Sequence, residues 1–231
     1  MPLCYLSVLN LPNAITIGRI LIAPLIAALP FINSPFARLG AFIAFIVAAI
    51  SDYFDGMLAR TRNLVTDLGS LLDPLADKLL LFATLIPMYV LMSPPSDPIA
   101  PGRASFGSAH GFAFQTPIGP VGLPWWVLAI VLGRELFMTV FRQLAARRGV
   151  VIAAIGPAKW KTGFQSVWVG SAYFWFFAAT LAARNDWDNR SWTFFSWFNA
   201  LVGTFTMAAA VFLTLYSLAL YIQKYRRVFA A

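Results

Sequence analysis

The sequence predicts an all-α integral membrane protein, and three features carry that prediction. The chain of 231 residues is 60% hydrophobic and only 11% charged, with a mean hydropathy of +0.74, outside the range of a soluble globular domain. Its apolar residues fall into six runs of about the 20 residues that a helix needs to cross the hydrocarbon core of a bilayer. Short polar connections separate most of the runs, so a single membrane domain over residues 1–231 is expected. The third feature is the position of the charges. The seventeen Lys and Arg gather at the ends of the apolar runs rather than on one basic face, which points to a lipid bilayer as partner and not to nucleic acid.

A short interfacial segment is expected over residues 8–13, with Asn13 as N-cap of a first span from about Ala14 to Leu29. Pro24 should kink that span. Residues 30–36, PFINSPF, read as a turn. A second span starts near Arg38 and ends in the segment 52–60. After a polar link over 61–68, a third runs from about Gly69 to Met92, with Pro74 in or near its first turn. Residues 93–123, rich in Pro, Gly and Ser, read as an extramembrane loop and carry His110, the only histidine. WWVLAIVLGRELFMTVF makes a fourth span, a fifth covers about 158–182, and a sixth runs from about Phe195 to Ile222. Six transmembrane helices put both termini on one side of the membrane. Arg60, Arg62, Arg142, Arg147, Arg148 and Lys224 share that side, whereas Arg38, Arg103, Arg184 and Arg190 lie on the other. The positive-inside rule therefore makes both termini cytoplasmic and the 93–123 loop extracytoplasmic. Arg19 interrupts the first apolar run, so the N-terminus reads as a retained span and not a cleaved leader. Cys4, the only cysteine, leaves no internal disulfide or thiolate metal site to expect.

Residues 52–78 are the anomaly. They hold Asp52, Asp55, Asp67, Asp73 and Asp77 out of nine acidic residues in the chain. A carboxylate at mid-bilayer costs roughly 2.5–3.5 kcal/mol, so these groups need water, cations or both. Asp52 and Asp55 are three apart with Ala59 one turn on, and Gly69, Asp73 and Asp77 step by four, so each set lies on one helix face. Two helices can thus present four carboxylates at their cytoplasmic ends, an all-oxygen donor set for Mg²⁺, Mn²⁺ or Ca²⁺. Two such cations about 3.5–4 Å apart would clamp the attacking and leaving oxygens of a phosphoryl transfer. Gly56, Ala59 and Gly69 keep the same faces small enough for close approach, and Arg60 is available to a phosphate. A bland alternative is a set of solvated charges at loop ends. A cation or proton transporter is the alternative of another class, but it expects polar residues continuing across the bilayer, and spans two and three are apolar beyond their cytoplasmic ends.

The string from Asp52 to Asp77 resembles the signature of the CDP-alcohol phosphatidyltransferases: D-x-x-D-G-x-x-A-R, eight residues, then G-x-x-x-D-x-x-x-D. Every fixed position is met, by Asp52, Asp55, Gly56, Ala59, Arg60, Gly69, Asp73 and Asp77. The resemblance implies that the four aspartates hold two divalent cations, Mg²⁺ or Mn²⁺, that Arg60 and the cations bind the pyrophosphate of a CDP-linked lipid, and that Asp77 also acts as general base. Further segments, NLPNAITIGRI, DLGSLLDPLADKLL, GRELFMTVFRQLAARRG and PAKWKTGFQ, are similar to the branch of that family that uses glycerol 3-phosphate. They imply CDP-diacylglycerol as donor, glycerol 3-phosphate as acceptor, and Arg134, Arg142, Lys159 and Lys161 at the acceptor phosphate. Serine, inositol phosphate and phosphatidylglycerol remain alternative acceptors, because the donor signature does not choose between them. The resemblance also implies a cytoplasmic membrane location and a homodimer. Asn13 and Thr16 are candidate contacts to the CDP-lipid, with helix capping as the bland alternative; for Arg19 the alternative is a snorkelling side chain. For Arg134 and Glu135 the bland alternative is a paired helix charge with only structural use.

Overall fold

The computed structural model describes residues 11–61, 67–94, 96–99, 112–149 and 156–225. Among the described residues, six long helices, one 3-10 turn (Leu29–Phe31) after α1 and one small hairpin follow in the order α1 (Leu11–Ala28), α2 (Pro35–Thr61), α3 (Asp67–Met92), β1 (Phe114–Thr116), β2 (Gly119–Val121), α4 (Trp125–Arg147), α5 (Gly156–Arg184) and α6 (Arg190–Lys224). They gather in two compact units. The first takes α1 to α3 and α5 from Tyr173 onward, and the second takes the hairpin, α4, the beginning of α5 and α6.

Five segments among the described residues are long and apolar enough to cross a membrane: Asn13–Phe31, Pro35–Asp52, Leu72–Met92, Trp160–Arg184 and Arg190–Lys224. The expected fourth span, now α4, falls short of that standard because Arg134, Glu135 and Arg142 share every 18-residue window of it. The chain is a mostly helical, multi-pass membrane protein. Its helices start earlier than their sequence suggests. α1 begins at Leu11, ahead of the expected N-cap, because Pro12 has no N–H to leave unsatisfied and suits a first turn. Asn13 is therefore a buried residue inside the helix and not its cap. The first residues of the expected interfacial segment lie outside the described residues, and so do most of the 61–68 link and His110.

In the first unit, each helix turns one stripe inward. Asn13, Thr16, Arg19, Ala23 and Ile26 are buried on α1, and Arg38, Ala41, Phe45 and Ala48 on α2, at the three- and four-residue steps of a helix face. The small Ala41 and Ala48 allow α1 and α2 to pack along their lengths. Two prolines disturb this arrangement, and one tyrosine repairs it. Pro87 removes the N–H that would bond the Ala83 carbonyl, and Pro30 removes the one that would reach Ile26 if α1 continued. The buried Tyr173 hydroxyl on α5 donates into this cluster of carbonyls, at 3.2 Å from Ala83 and Thr84 and 3.4 Å from Ile26. The one donor of a neighbouring helix is thus shared among the freed backbone acceptors, which an apolar bundle leaves without water. The turn after α1 is held by Arg38, fully buried, whose Nε donates to the Pro30 carbonyl at 3.0 Å and whose Nη1 donates to Thr180. Arg184 adds a 2.6 Å bond to the Asn33 carbonyl.

In the second unit, α6 is built inside out relative to a soluble helix. Ser196, Asn199, Gly203, Thr206, Ala210, Thr214 and Ser217 face inward, while Phe194, Phe198, Leu201, Phe205 and Phe212 are exposed, the pattern of a helix whose solvent is lipid. The stretch expected as a plain loop contains the antiparallel hairpin, paired Phe114 to Val121 and Thr116 to Gly119. Phe114 is buried against α6 at Gly203, where any Cβ would run into its ring. Asp97 closes the start of α4: its Oδ2 accepts from the Trp125 N–H and its Oδ1 from Ile99, each at 3.0 Å, placing negative charge at a helix N-terminus.

Removing only the Tyr173 hydroxyl should leave a buried carbonyl without its donor, at about 1 kcal/mol in a membrane bundle. Tyr173→Phe is expected to lower the unfolding temperature of the purified protein in detergent by a few degrees, and an unchanged Tm would show that the proline-freed carbonyls are satisfied without it.

Candidate active site

The acidic stretch is distributed as its spacing predicts. α2 remains helical through Thr61 and α3 starts at Asp67, so Asp52, Asp55, Gly56, Ala59 and Arg60 share one helix and Gly69, Asp73 and Asp77 the next. The side chains of Asp55, Ala59, Arg60 and Asp67 lie outside what is described. Gly69 is buried, and Asp52, Asp73 and Asp77 are exposed.

What brings the two sets together comes from α1. The Arg19 Nη1 donates both to Asp52 Oδ1 and, at 3.2 Å, to Asp77 Oδ1, and the two carboxyls are themselves near neighbours. One turn earlier, the Thr16 hydroxyl donates to Asp73 Oδ1 at 2.8 Å. Thr16 and Arg19 are 1% and 3% exposed, whereas the Asp52 and Asp77 side chains are 51% and 60% exposed. The cation is thus buried and the carboxylates open outward. A snorkelling Arg19 is ruled out by that burial. Its guanidinium is a structural counter-ion to two signature aspartates. Sequence reasoning weighed this residue without assigning it; the signal was the step of three through Asn13, Thr16 and Arg19, which puts a polar stripe on an otherwise apolar helix.

The oxygen donor set fits hard divalent cations. Among the described residues, Asp52 and Asp77 already converge on one positively charged nitrogen and the Thr16 hydroxyl reaches Asp73, and carboxylate and hydroxyl oxygens are donors that such cations take. Among the described residues, no three Asp, Glu, His or Cys side chains converge as a ready ligand set. The side chain of the fourth aspartate, Asp55, lies outside what is described.

The second unit holds a separate charged cluster. Arg134 on α4, 7% exposed, donates from Nη1 to Glu135 Oε1 at 2.8 Å and from Nη2 to the Ser217 hydroxyl at 3.3 Å, and it lies 6.0 Å from the Tyr221 ring centroid. Lys161 on α5, 5% exposed, donates to the same Glu135 Oε1. Arg142, two turns along α4 from Arg134, is exposed and acts on Lys161 through space. The side chain of Lys159 lies outside the described residues. Of the four expected acceptor cations, Arg134 and Lys161 are therefore brought together directly, and Arg142 only electrostatically. The bland helix-pair reading of Arg134 and Glu135 is too small, because their pair reaches into α5 and α6. Ser217 and Tyr221 were invisible to sequence reasoning, since a serine and a tyrosine in a final apolar helix carry no motif.

Known proteins with similar sequences point to one family. The profile of the CDP-alcohol phosphatidyltransferase family matches residues 9–230. A Rickettsia bellii protein named CDP-diacylglycerol--glycerol-3-phosphate 3-phosphatidyltransferase is 51% identical over 77 residues, covering 33% of this chain and 42% of its own. Two Arabidopsis thaliana proteins with that name are 32% and 30% identical: isoform 2 over 70% of this chain and 63% of its own length, and isoform 1, chloroplastic/mitochondrial, over 96% and 64%. The chain spans less than two thirds of the length of each of these relatives. With the family profile running through nearly all of it, and each fixed signature residue standing on α2 or α3, this chain belongs to the CDP-alcohol phosphatidyltransferase family.

Proposed function

We propose that this chain transfers the phosphatidyl group of CDP-diacylglycerol to glycerol 3-phosphate, releasing CMP and forming phosphatidylglycerophosphate. One observation carries the choice of a phosphorylated acceptor: the buried Arg134 and Lys161 pair, a cationic group distinct from the donor signature. A hydroxyl-only acceptor would have no use for it, whereas a phosphate monoester is a dianion that such cations recognise. The names of the three relatives support the same choice.

In the reaction, the primary hydroxyl of glycerol 3-phosphate attacks the phosphorus on the diacylglycerol side of the pyrophosphate. A new P–O bond forms, the bond to the CMP oxygen breaks, and CMP leaves with that electron pair. Asp77 takes the hydroxyl proton. Arg19 keeps the Asp77 carboxylate oriented, and Thr16 does the same for Asp73. Asn13 and Thr16 border the cytidine end of the donor, Gly56, Ala59 and Gly69 let it approach the backbone, and Arg60 pairs with its pyrophosphate. Asp52, Asp55, Asp73 and Asp77 would hold two divalent cations, Mg²⁺ or Mn²⁺, which when bound would supply positive charge to offset the negative charge on the phosphoryl oxygens. Arg134, Arg142, Lys159 and Lys161 hold the acceptor phosphate. The enzyme lies in the cytoplasmic membrane as a homodimer. It crosses the bilayer six times with α4 as the span that bears charges, its termini and site facing the cytoplasm.

Purified protein with CDP-diacylglycerol should release CMP on addition of glycerol 3-phosphate, lose that activity in EDTA, and regain it with Mg²⁺ or Mn²⁺. Turnover with serine but none with glycerol 3-phosphate would overturn the acceptor, and turnover in EDTA would overturn the cation-assisted mechanism. Asp77→Asn is expected to lower kcat by about 10²–10⁴-fold, and an active variant would remove Asp77 as the base. Lys161→Ala should raise the KM for glycerol 3-phosphate roughly tenfold or more, the loss of one charge-assisted hydrogen bond, while the KM for CDP-diacylglycerol stays within about twofold.

A further inference from the structure

We propose that Glu135 is the positioning residue of the acceptor site, holding Arg134 and Lys161 in one fixed arrangement that fits a phosphate monoester. The proposal rests on the acceptor reading given above and deepens it. Glu135 is not part of the donor signature, and its carboxylate has a sign that should repel the acceptor. Nevertheless it sits in the middle of the cationic group. One oxygen, Oε1, accepts from both Arg134 Nη1, at 2.8 Å, and Lys161 Nζ. The bridge spans two helices, α4 and α5. Arg134 is further tied to α6 by Ser217 and by the face of Tyr221, both fully buried.

Two physical consequences follow from that bridge. Lys161 has a long, flexible side chain, and its ammonium is buried next to a like charge on Arg134 and within the field of Arg142. Without an anion between them, two neighbouring cations in a poorly screened interior repel and turn apart. Glu135 removes that repulsion and fixes where both donors point, so less ordering remains to be done when an acceptor arrives. The second consequence is a charge count. Among the described side chains, Arg134, Arg142 and Lys161 against Glu135 leave two positive charges in excess. A phosphate monoester carries about −1.5 to −2 near neutral pH. The group is therefore matched to a phosphate dianion and mismatched to neutral or zwitterionic alcohols.

This positioning role and a simple charge-offsetting role predict opposite signs. If Glu135 only subtracted charge, Glu135→Gln would leave a more cationic group that binds phosphate more tightly. If it positions the donors, the same change scatters them and binding weakens despite the extra charge. The experiment titrates inorganic phosphate into purified wild type, Glu135→Gln and Glu135→Asp in EDTA, so that phosphate is not recruited by divalent cations, and reads the shift in unfolding temperature. The expected result is a half-saturating phosphate concentration raised about tenfold in Glu135→Gln, with Glu135→Asp, which restores the charge one methylene shorter, in between. An unchanged or lowered half-saturation in Glu135→Gln overturns the proposal, and so does a wild-type protein whose unfolding phosphate does not affect. Should Glu135→Gln fail to fold, Glu135→Asp decides alone: a raised half-saturation supports positioning, and an unchanged one overturns it. In the turnover assay, Glu135→Gln should raise the KM for glycerol 3-phosphate and leave that for CDP-diacylglycerol within about twofold. A wild type that binds phosphate but turns over only another acceptor overturns the acceptor reading, which this titration tells apart from a failure of the positioning role.

Discussion

A buried guanidinium keeps its charge, so the helices around it must supply acceptors, and that requirement organises both units of this protein. Arg19 meets it with two carboxylates, on α2 and α3, and thereby ties the three N-terminal helices to one another at the signature aspartates. Arg134 meets it with one carboxylate and a hydroxyl, joining α4, α5 and α6. Arg38 meets it with neutral groups, a backbone carbonyl and a threonine hydroxyl. The choice of acceptor separates chemistry from architecture. Where the partner is a carboxylate, the cluster falls among residues that the family signature or the phosphate-binding reading singles out. Where the partners are carbonyls, the arginine fastens a turn.

The same scarcity of polar partners governs the uncharged backbone. Prolines in apolar helices leave carbonyls that water cannot reach, and Tyr173 is positioned to serve those released by Pro30 and Pro87. Small residues complete the arrangement: Ala41 and Ala48 on α2, and Gly203 under the ring of Phe114 on α6. The apolar bulk is turned outward on α6, leaving the inward faces to residues that hydrogen-bond or approach closely.

Much of the site was legible in one dimension because its key residues are helical neighbours. Asp52 and Asp55, or Gly69, Asp73 and Asp77, share a face wherever those helices go, so spacing and family resemblance single them out as candidates without coordinates. Arg19 was different. An arginine in an apolar run is equally compatible with a side chain reaching for the interface and one buried on an ion pair, and only the partners on α2 and α3 distinguish them. Glu135 was masked by its own neighbour, since an adjacent Arg and Glu look complete as a pair until Lys161 arrives from α5. Asn13 misled in the opposite direction: it has cap chemistry, but Pro12 lets the helix begin before it.

The amino-acid sequence by itself determined the membrane class, the approximate course of the six helices and the eight-position signature, because composition, hydrophobic run length and intrahelical spacing are local properties. Tertiary structure decided which charges meet: Arg19 with Asp52 and Asp77, Thr16 with Asp73, and Lys161 with Arg134 through Glu135. Those partners stand on different helices, and their separation along the chain has no periodicity to betray it. What selects them is the low dielectric of a packed bundle, where a charge without a partner is too costly to keep and a suitable partner is accepted from any distance in sequence.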